Sequence, residues 1–349
     1  MKLTFRWYGD DDKVTLPMIR QIPGMRGIVS AVYSFPVGEV WSVESIEALK
    51  RKANENALTF EVVESVPVHE EIKIGSEKRD QLIENYCENI RRLGAAGVKC
   101  ICYNFMPVFD WLRSELSKEQ SDGANALAYN EVTVLSMDPK GELSLPGWDE
   151  SYTKEELVSL LERYKDISEE KLFDNLRVFL ERVIPVAEKA GVNMAIHPDD
   201  PPWGIFGIPR IITDEKNIER MLKLVDSPAN GLTFCTGSLG ANPDNDLVGM
   251  ARRFADRIHF AHLRNILYTG ERAFEEVGHP TECGSLDMYG IVRALCEGGF
   301  DGYVRPDHGR MIWGESGRYG YGLYDRALGA AYLNGLFEAV TKDMQKDKK

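Results

Sequence analysis

No stretch of about 18 consecutive apolar residues occurs in the chain, so nothing in it reads as a membrane span. Its opening residues, "MKLTFRWYGDDDK", lack the apolar centre of a secretory signal. Cysteine is sparse and scattered, at Cys87, Cys100, Cys102, Cys235, Cys283 and Cys296, with no CxxC pair and no spacing that suggests a disulfide framework. These absences lead to the expectation of reduced thiols in a cytoplasmic enzyme. Positive charge is also short: 42 Lys and Arg stand against 55 Asp and Glu, a net charge of −13. Such a balance argues against nucleic acid as a partner, although local arginines can still hold a small anion. Neither a GxGxxG after the first strand-like segment nor a GxxxxGK[ST] is present, which removes support for the nucleotide-binding open sheets.

What is present is an alternation. Strand-like segments fall at 2–8, 27–33, 57–65, 98–105, 192–197, 231–237, 257–263 and 301–307, and helical periodicity lies between them. The helical segment 168–191 starts at a serine and stops at a glycine, the residues that favour helix ends. Eight strands alternating with helices imply parallel pairing through βαβ crossovers, and eight such units predict an α/β fold, a (β/α)8 TIM barrel. An open doubly wound sheet is the architectural alternative. The whole chain, 1–349, is expected to be one domain. A polar, turn-rich stretch at about 106–165, with "SDGANAL" and "DPKGELSLPGWDE", interrupts the alternation as an insertion after the fourth strand, near the active-site mouth.

Barrel active sites lie at the C-terminal strand ends. Strand five ends at His197 in "AIHPDDPP", strand six at Cys235 in "TFCTGS", strand seven at His262 in "HFAHLRN" and strand eight at Asp307 in "VRPDHGR". Four consecutive strands thus deliver metal-competent side chains to one rim. His259 stands three residues before His262, so it faces the other side, toward the helices. The thiolate argues for zinc or ferrous iron and the carboxylate also admits manganese. A site that keeps room for substrate oxygens suits Mn²⁺ or Fe²⁺ better than tetrahedral Zn²⁺. Anion-binding candidates are Arg6 and Tyr8 in "TFRWYG", Asn104 in "CYNFMP", Arg264 after His262, and Arg310 beyond the last strand, with Arg305 as a supporting residue.

The segments "TFRWYG", "VPVHE", "CYNFMPVFDW", "LPGWD", "MAIHPDDPP", "GIFGIPRII", "RPDHGR" and "GYGLYDRALGA" run from the first strand to the last helix. Together they make the chain resemble the mannonate dehydratase family. The resemblance implies a xylose-isomerase-like barrel that converts D-mannonate to 2-dehydro-3-deoxy-D-gluconate in hexuronate breakdown. It further implies Mn²⁺ or Fe²⁺ on His197, Cys235, His262 and Asp307, the four residues that the strand ends select. It makes His308 and Tyr321 the candidates for proton transfer, and a homodimer is expected. A metal-dependent sugar isomerase or epimerase on the same barrel is the alternative. A metal-dependent endonuclease conflicts with the acidic balance. A non-catalytic sugar-acid binder would not need four converging ligands.

Overall fold

Eight strands of this chain close into a parallel barrel, and four more form a second sheet at its rim. The computed structural model describes residues 1–137 and 153–346. Its strands, in chain order, are β1 (Lys2–Arg6), β2 (Gly27–Ser30), β3 (Thr59–Glu64), β4 (Cys100–Tyr103), β5 (Glu115–Glu119), β6 (Asn125–Asn130), β7 (Asn193–Ile196), β8 (Asn230–Cys235), β9 (Ile258–His262), β10 (Asn265–Gly270), β11 (Ala273–Val277) and β12 (Tyr303–Arg305). The barrel runs β1-β12-β9-β8-β7-β4-β3-β2 and closes on itself, as the alternation predicts.

Barrel strands are covered on both faces, so they read as apolar runs. Every residue of β4 and of β8 is buried. Their alternation assigns the faces. Val29, Val62, Cys100, Cys102, Ala195, Phe260 and Tyr303 fill the barrel interior as one cluster. The intervening Ile28, Val63, Ile101 and Met194 join the larger core beneath the helices. The helix Glu169–Ala190 shows how local signals set an element. Ser168 accepts from the Lys171 amide at 3.2 Å, and Gly191 ends the helix at φ 66°. Its buried face, including Phe173, Leu176, Phe179 and Val183, places it on the barrel wall.

The second sheet, ordered β10-β11-β6-β5 and antiparallel, differs from the sequence reading. "SDGANAL" spans the turn between β5 and β6 and the first residues of β6, with Gly123 at φ 81°. "DPKGELSLPGWDE" lies outside the described residues. The hairpin β10–β11 comes from the loop after β9, where the alternation had suggested no element. Thus the loops after β4 and β9 pair with each other, through Tyr129 with Phe274. Among the described residues no helix is long and apolar enough to cross a membrane.

His259 does face away from the barrel interior. Its ring lies over Gly231, where a Cβ would overlap both that ring and the Arg257 carbonyl. Burial pushes its imidazole down to about 4, so it is neutral at pH 7. Gly231→Ala should therefore force β8 and β9 apart and lower unfolding stability by about 1–3 kcal/mol in urea titrations. An unchanged midpoint and slope would mean that the strands absorb the methyl group.

Candidate active site

Several strand ends open on one cavity, with Cys235 and His262 fully buried and outside its lining. It is lined by Arg6, Tyr8, Glu64, Asn104, Trp111, His197, Arg264, Arg305, Asp307, His308 and Tyr321, among others. Pairing sets the first contacts: Cys235 of β8 lies in register with His262 of β9, and His262 with Arg305 of β12. His197, Cys235 and His262 each offer a donor atom, and these atoms lie within 4.8 Å of one another. His197 Nδ1 stands 2.7 Å from the Pro198 carbonyl, which puts the ring proton on Nδ1 and frees the Nε2 lone pair. The His262 ring is wedged edge-on against Phe260 at 4.4 Å, and Arg305 Nε donates to its Nε2 at 3.0 Å.

Asp307 lies beside this group, 3.5 Å from Cys235 Sγ and 3.5 Å from His262 Nδ1, but is not a member of the three-donor cluster. It sits between two arginines, 2.8 Å from Arg305 Nη2 and 2.7 Å from Arg264 Nε. Burial alone would raise its pKa, but Arg305, His308 and Arg264 hold it well below the usual carboxylate range. The backbone at Asp307 is left-handed, φ 57°, a conformation that aspartate tolerates better than most residues. That reversal at the end of β12 is why two adjacent side chains, Asp307 and His308, both line the cavity.

A second donor group, Glu64, Cys102 and His262, shares one histidine with the first. It is the poorer metal site on chemical grounds. Burial pushes the Cys102 thiol well above its ordinary pKa, so it resists the deprotonation that metal binding requires. Burial would raise the Glu64 carboxyl too, yet Arg305, His262 and Arg6 hold it well below the usual range.

His308 and Tyr321 are in contact: Nε2 lies 2.9 Å from the phenol oxygen. Burial, with Tyr8 adding to it, pushes Tyr321 well above its ordinary pKa, so it stays a phenol at neutral pH. The Tyr321 segment is anchored by Arg326, which is fully buried and donates to the carbonyls of Arg6, Tyr321 and Gly322. On its other side, His308 Nδ1 is 3.0 Å from both carboxylate oxygens of Glu276.

The anion-binding candidates separate. Arg6 is 7% exposed, stacks on Tyr8 at 4.7 Å, and its Nε and Nη1 have no hydrogen-bond partner among the described residues. Its nearest acid, Glu64, is 3.9 Å away. Asn104 lines the cavity while its Oδ1 accepts from the Met106 amide at 3.2 Å. Arg264 also lines it but is spent on Asp200, Glu276 and Asp307. Arg310 does not reach the cavity lining. It points outward and ties Asp325 at 3.0 Å to Asp122 at 2.8 Å, so the sequence-based choice of Arg310 for the substrate finds no geometric support. Sequence reasoning missed Glu64 and Glu276. Glu64 had a signal, since it ends β3 at the same rim as the others. Glu276 had a weaker one: "ILYTGERAFEEV" is two β-rich runs around a glycine turn, a hairpin pattern.

Comparison with known proteins gives the family. Residues 1–347 match the family profile described as D-mannonate dehydratase (UxuA). A mannonate dehydratase of Streptococcus agalactiae serotype III is 56% identical over 345 residues, covering 98% of this chain and 99% of that one. Mannonate dehydratase 2 of Halalkalibacterium halodurans is 56% identical over 344 residues, covering 98% and 100%. The crystal structure of mannonate dehydratase from Streptococcus suis serotype 2 superposes with a TM-score of 0.91 at 48% identity, covering 99% of this chain and 95% of that one. A D-psicose 3-epimerase of Clostridium cellulolyticum H10 has a TM-score of 0.58 at 15% identity over 98% of this chain and 99% of that one, a likeness of fold alone. With a profile match from the first strand to the last helix and full-length relatives of this identity, the chain belongs to the mannonate dehydratase family.

Proposed function

We propose that the cavity binds D-mannonate and eliminates water from it to give 2-dehydro-3-deoxy-D-gluconate, with His197, Cys235, His262 and Asp307 holding Mn²⁺ or Fe²⁺. The overall reaction, that of a hydro-lyase, follows from the family. The observation that carries the site reading is a three-donor group, one member of which, His197, lines the cavity, beside a hydrogen-bonded His–Tyr pair that lines it too. The family implies a divalent metal, and the donors fit one: two imidazoles and a thiolate suit borderline ions, and Asp307, beside Cys235 but outside that cluster, would add a hard oxygen. When bound, such an ion supplies Lewis-acid stabilisation of charge on the substrate carboxylate.

The rest falls to the side chains. Elimination breaks the C2–H bond and the C3–O bond, water leaves, and the resulting enol becomes the 2-ketone. Loss of the C2 proton places charge next to a carboxylate that is already negative, so a fixed cation there lowers the barrier. Arg6, with unpaired N–H groups in the cavity, is the candidate to grip that carboxylate. Hydroxide is a poor leaving group and must be protonated as it departs. His308 and Tyr321 supply the two proton-transfer groups, one as base and one as acid. Tyr8 and Asn104 complete the wall. Met106, Asp110 and Trp111 of the insertion at 106–165 also line the cavity, which supports reading it as part of the mouth of a one-domain enzyme. A homodimer in the cytoplasm belongs to the same proposal. An epimerase reading has only the fold in its favour.

Chelated enzyme should lose turnover of D-mannonate and regain it with Mn²⁺ or Fe²⁺ more than with Zn²⁺ or Mg²⁺, measured as 2-keto-3-deoxy acid. An isomerised sugar acid without that product would sink the reading. His308→Ala should lower kcat by about 10²–10⁴-fold while bound metal is unchanged, because it removes a proton-transfer group only. Cys235→Ser should instead lower metal content and activity together; full occupancy by metal analysis would return Cys235 to a packing role. Arg6→Ala should raise KM by roughly 10–100-fold, the value of a charge-assisted contact, while Arg310→Ala leaves KM within about threefold.

A further inference from the structure

Glu276 is 3% exposed and lies near the C-terminal end of β11 in the rim sheet, not on the barrel. Its neighbour Glu275 faces outward and pairs with Lys118, whereas Glu276 shares the inward face of β11 with Phe274. There it meets three cations or potential cations: Arg113 at 2.8 Å, Arg264, and His308 at 3.0 Å. Each of the two arginines also reaches another acid. Arg113 is also 2.8 Å from Asp200, and Arg264 reaches both Asp200 at 2.7 Å and Asp307. His308 has no other acid in hydrogen-bond contact among the described residues.

We infer that Glu276 is a positioning residue for the reaction: it holds the His308 proton on Nδ1 and aims Nε2 at Tyr321 and the cavity. The inference rests on the reading of His308 as a proton-transfer group. The geometry supports it in three ways. A carboxylate only accepts, so the nitrogen facing it must carry the hydrogen. Both of its oxygens are equidistant from Nδ1, which centres the ring. Arg113 and Arg264 fix the carboxylate in turn, so the ring inherits the rigidity of the rim sheet. The acid–imidazole–hydroxyl order is the same logic by which a buried acid sets the tautomer of a catalytic histidine in serine proteases. Hairpin β10–β11 is then part of the catalytic machinery, although it contributes no residue to the proposed metal shell.

The test is Glu276→Gln, compared with Glu276→Asp and His308→Ala, each loaded with metal and assayed on D-mannonate. The glutamine keeps the volume and one acceptor for the arginines, but its amide can donate to Nδ1 and push the proton to Nε2. The expected result is a kcat lowered by about 10³-fold or more with KM within about threefold and metal content unchanged. Nitrogen-15 histidine spectra of Zn²⁺-loaded protein should show one histidine changing from the Nδ1–H to the Nε2–H tautomer. In Glu276→Asp the carboxylate is retracted but still only accepts, so the tautomer persists and kcat falls by about tenfold; this variant serves if the glutamine protein fails to fold. If His308→Ala loses turnover while Glu276→Gln keeps kcat within about threefold, or if no histidine changes tautomer, Glu276 has no positioning role. If His308→Ala keeps its turnover, the reading of His308 itself fails.

Discussion

Everything at the rim of this barrel depends on arginine–carboxylate pairing out of water. Arg6, Arg113, Arg264 and Arg305 face Glu64, Asp200, Glu276 and Asp307, and all four arginines are buried. Charges so placed are tolerable only when each has close partners, since removing one leaves another uncompensated in a low-dielectric site. The pairs therefore act as a lattice. Asp307 is fixed from both sides, and through it the ends of β9 and β12. Asp200 fixes Arg113 and Arg264, and Ser238 donates to it at 3.1 Å. In this lattice Arg6 lines the cavity and keeps two buried nitrogens, Nε and Nη1, without a hydrogen-bond partner among the described residues, whereas Arg264 Nε is held by Asp307 at 2.7 Å.

The fixed charges of this lattice balance, four against four. On the proposed reading a divalent ion brings two positive charges, which the Cys235 thiolate and the substrate carboxylate would match. On that reading the tasks separate: the lattice sets geometry, and the charge that changes during the reaction is confined to substrate, donors and the His308–Tyr321 pair.

Much of this was legible in the sequence, because it follows from local periodicity. Eight apolar runs alternating with helical segments specify a closed parallel barrel, and strand ends then specify a rim. The three-residue offset between His259 and His262 sorts one outward and one inward, as the structure has it. Cys235 and Asp307 were legible for the same reason. What the sequence did not reveal depends on contacts between distant segments. "FEEV" contains two glutamates, and nothing in the run says which faces inward until β11 pairs with β6. Arg310 follows Gly309 in a loop whose direction is set by Asp325 and Asp122, far along the chain. The left-handed turn at Asp307 is likewise a property of where β12 stops, not of a glycine signal.

The rim sheet has a consequence for the order in which the enzyme is made. Two pairings join distant parts of the chain: Lys2 with Tyr303, where the barrel closes, and Tyr129 with Phe274 in the rim sheet. Each closes a long loop whose entropy must be spent before any contact repays it. Glu276 stands behind His308 only once the second pairing is made, so completing the site waits on the meeting of segments from both halves of the chain.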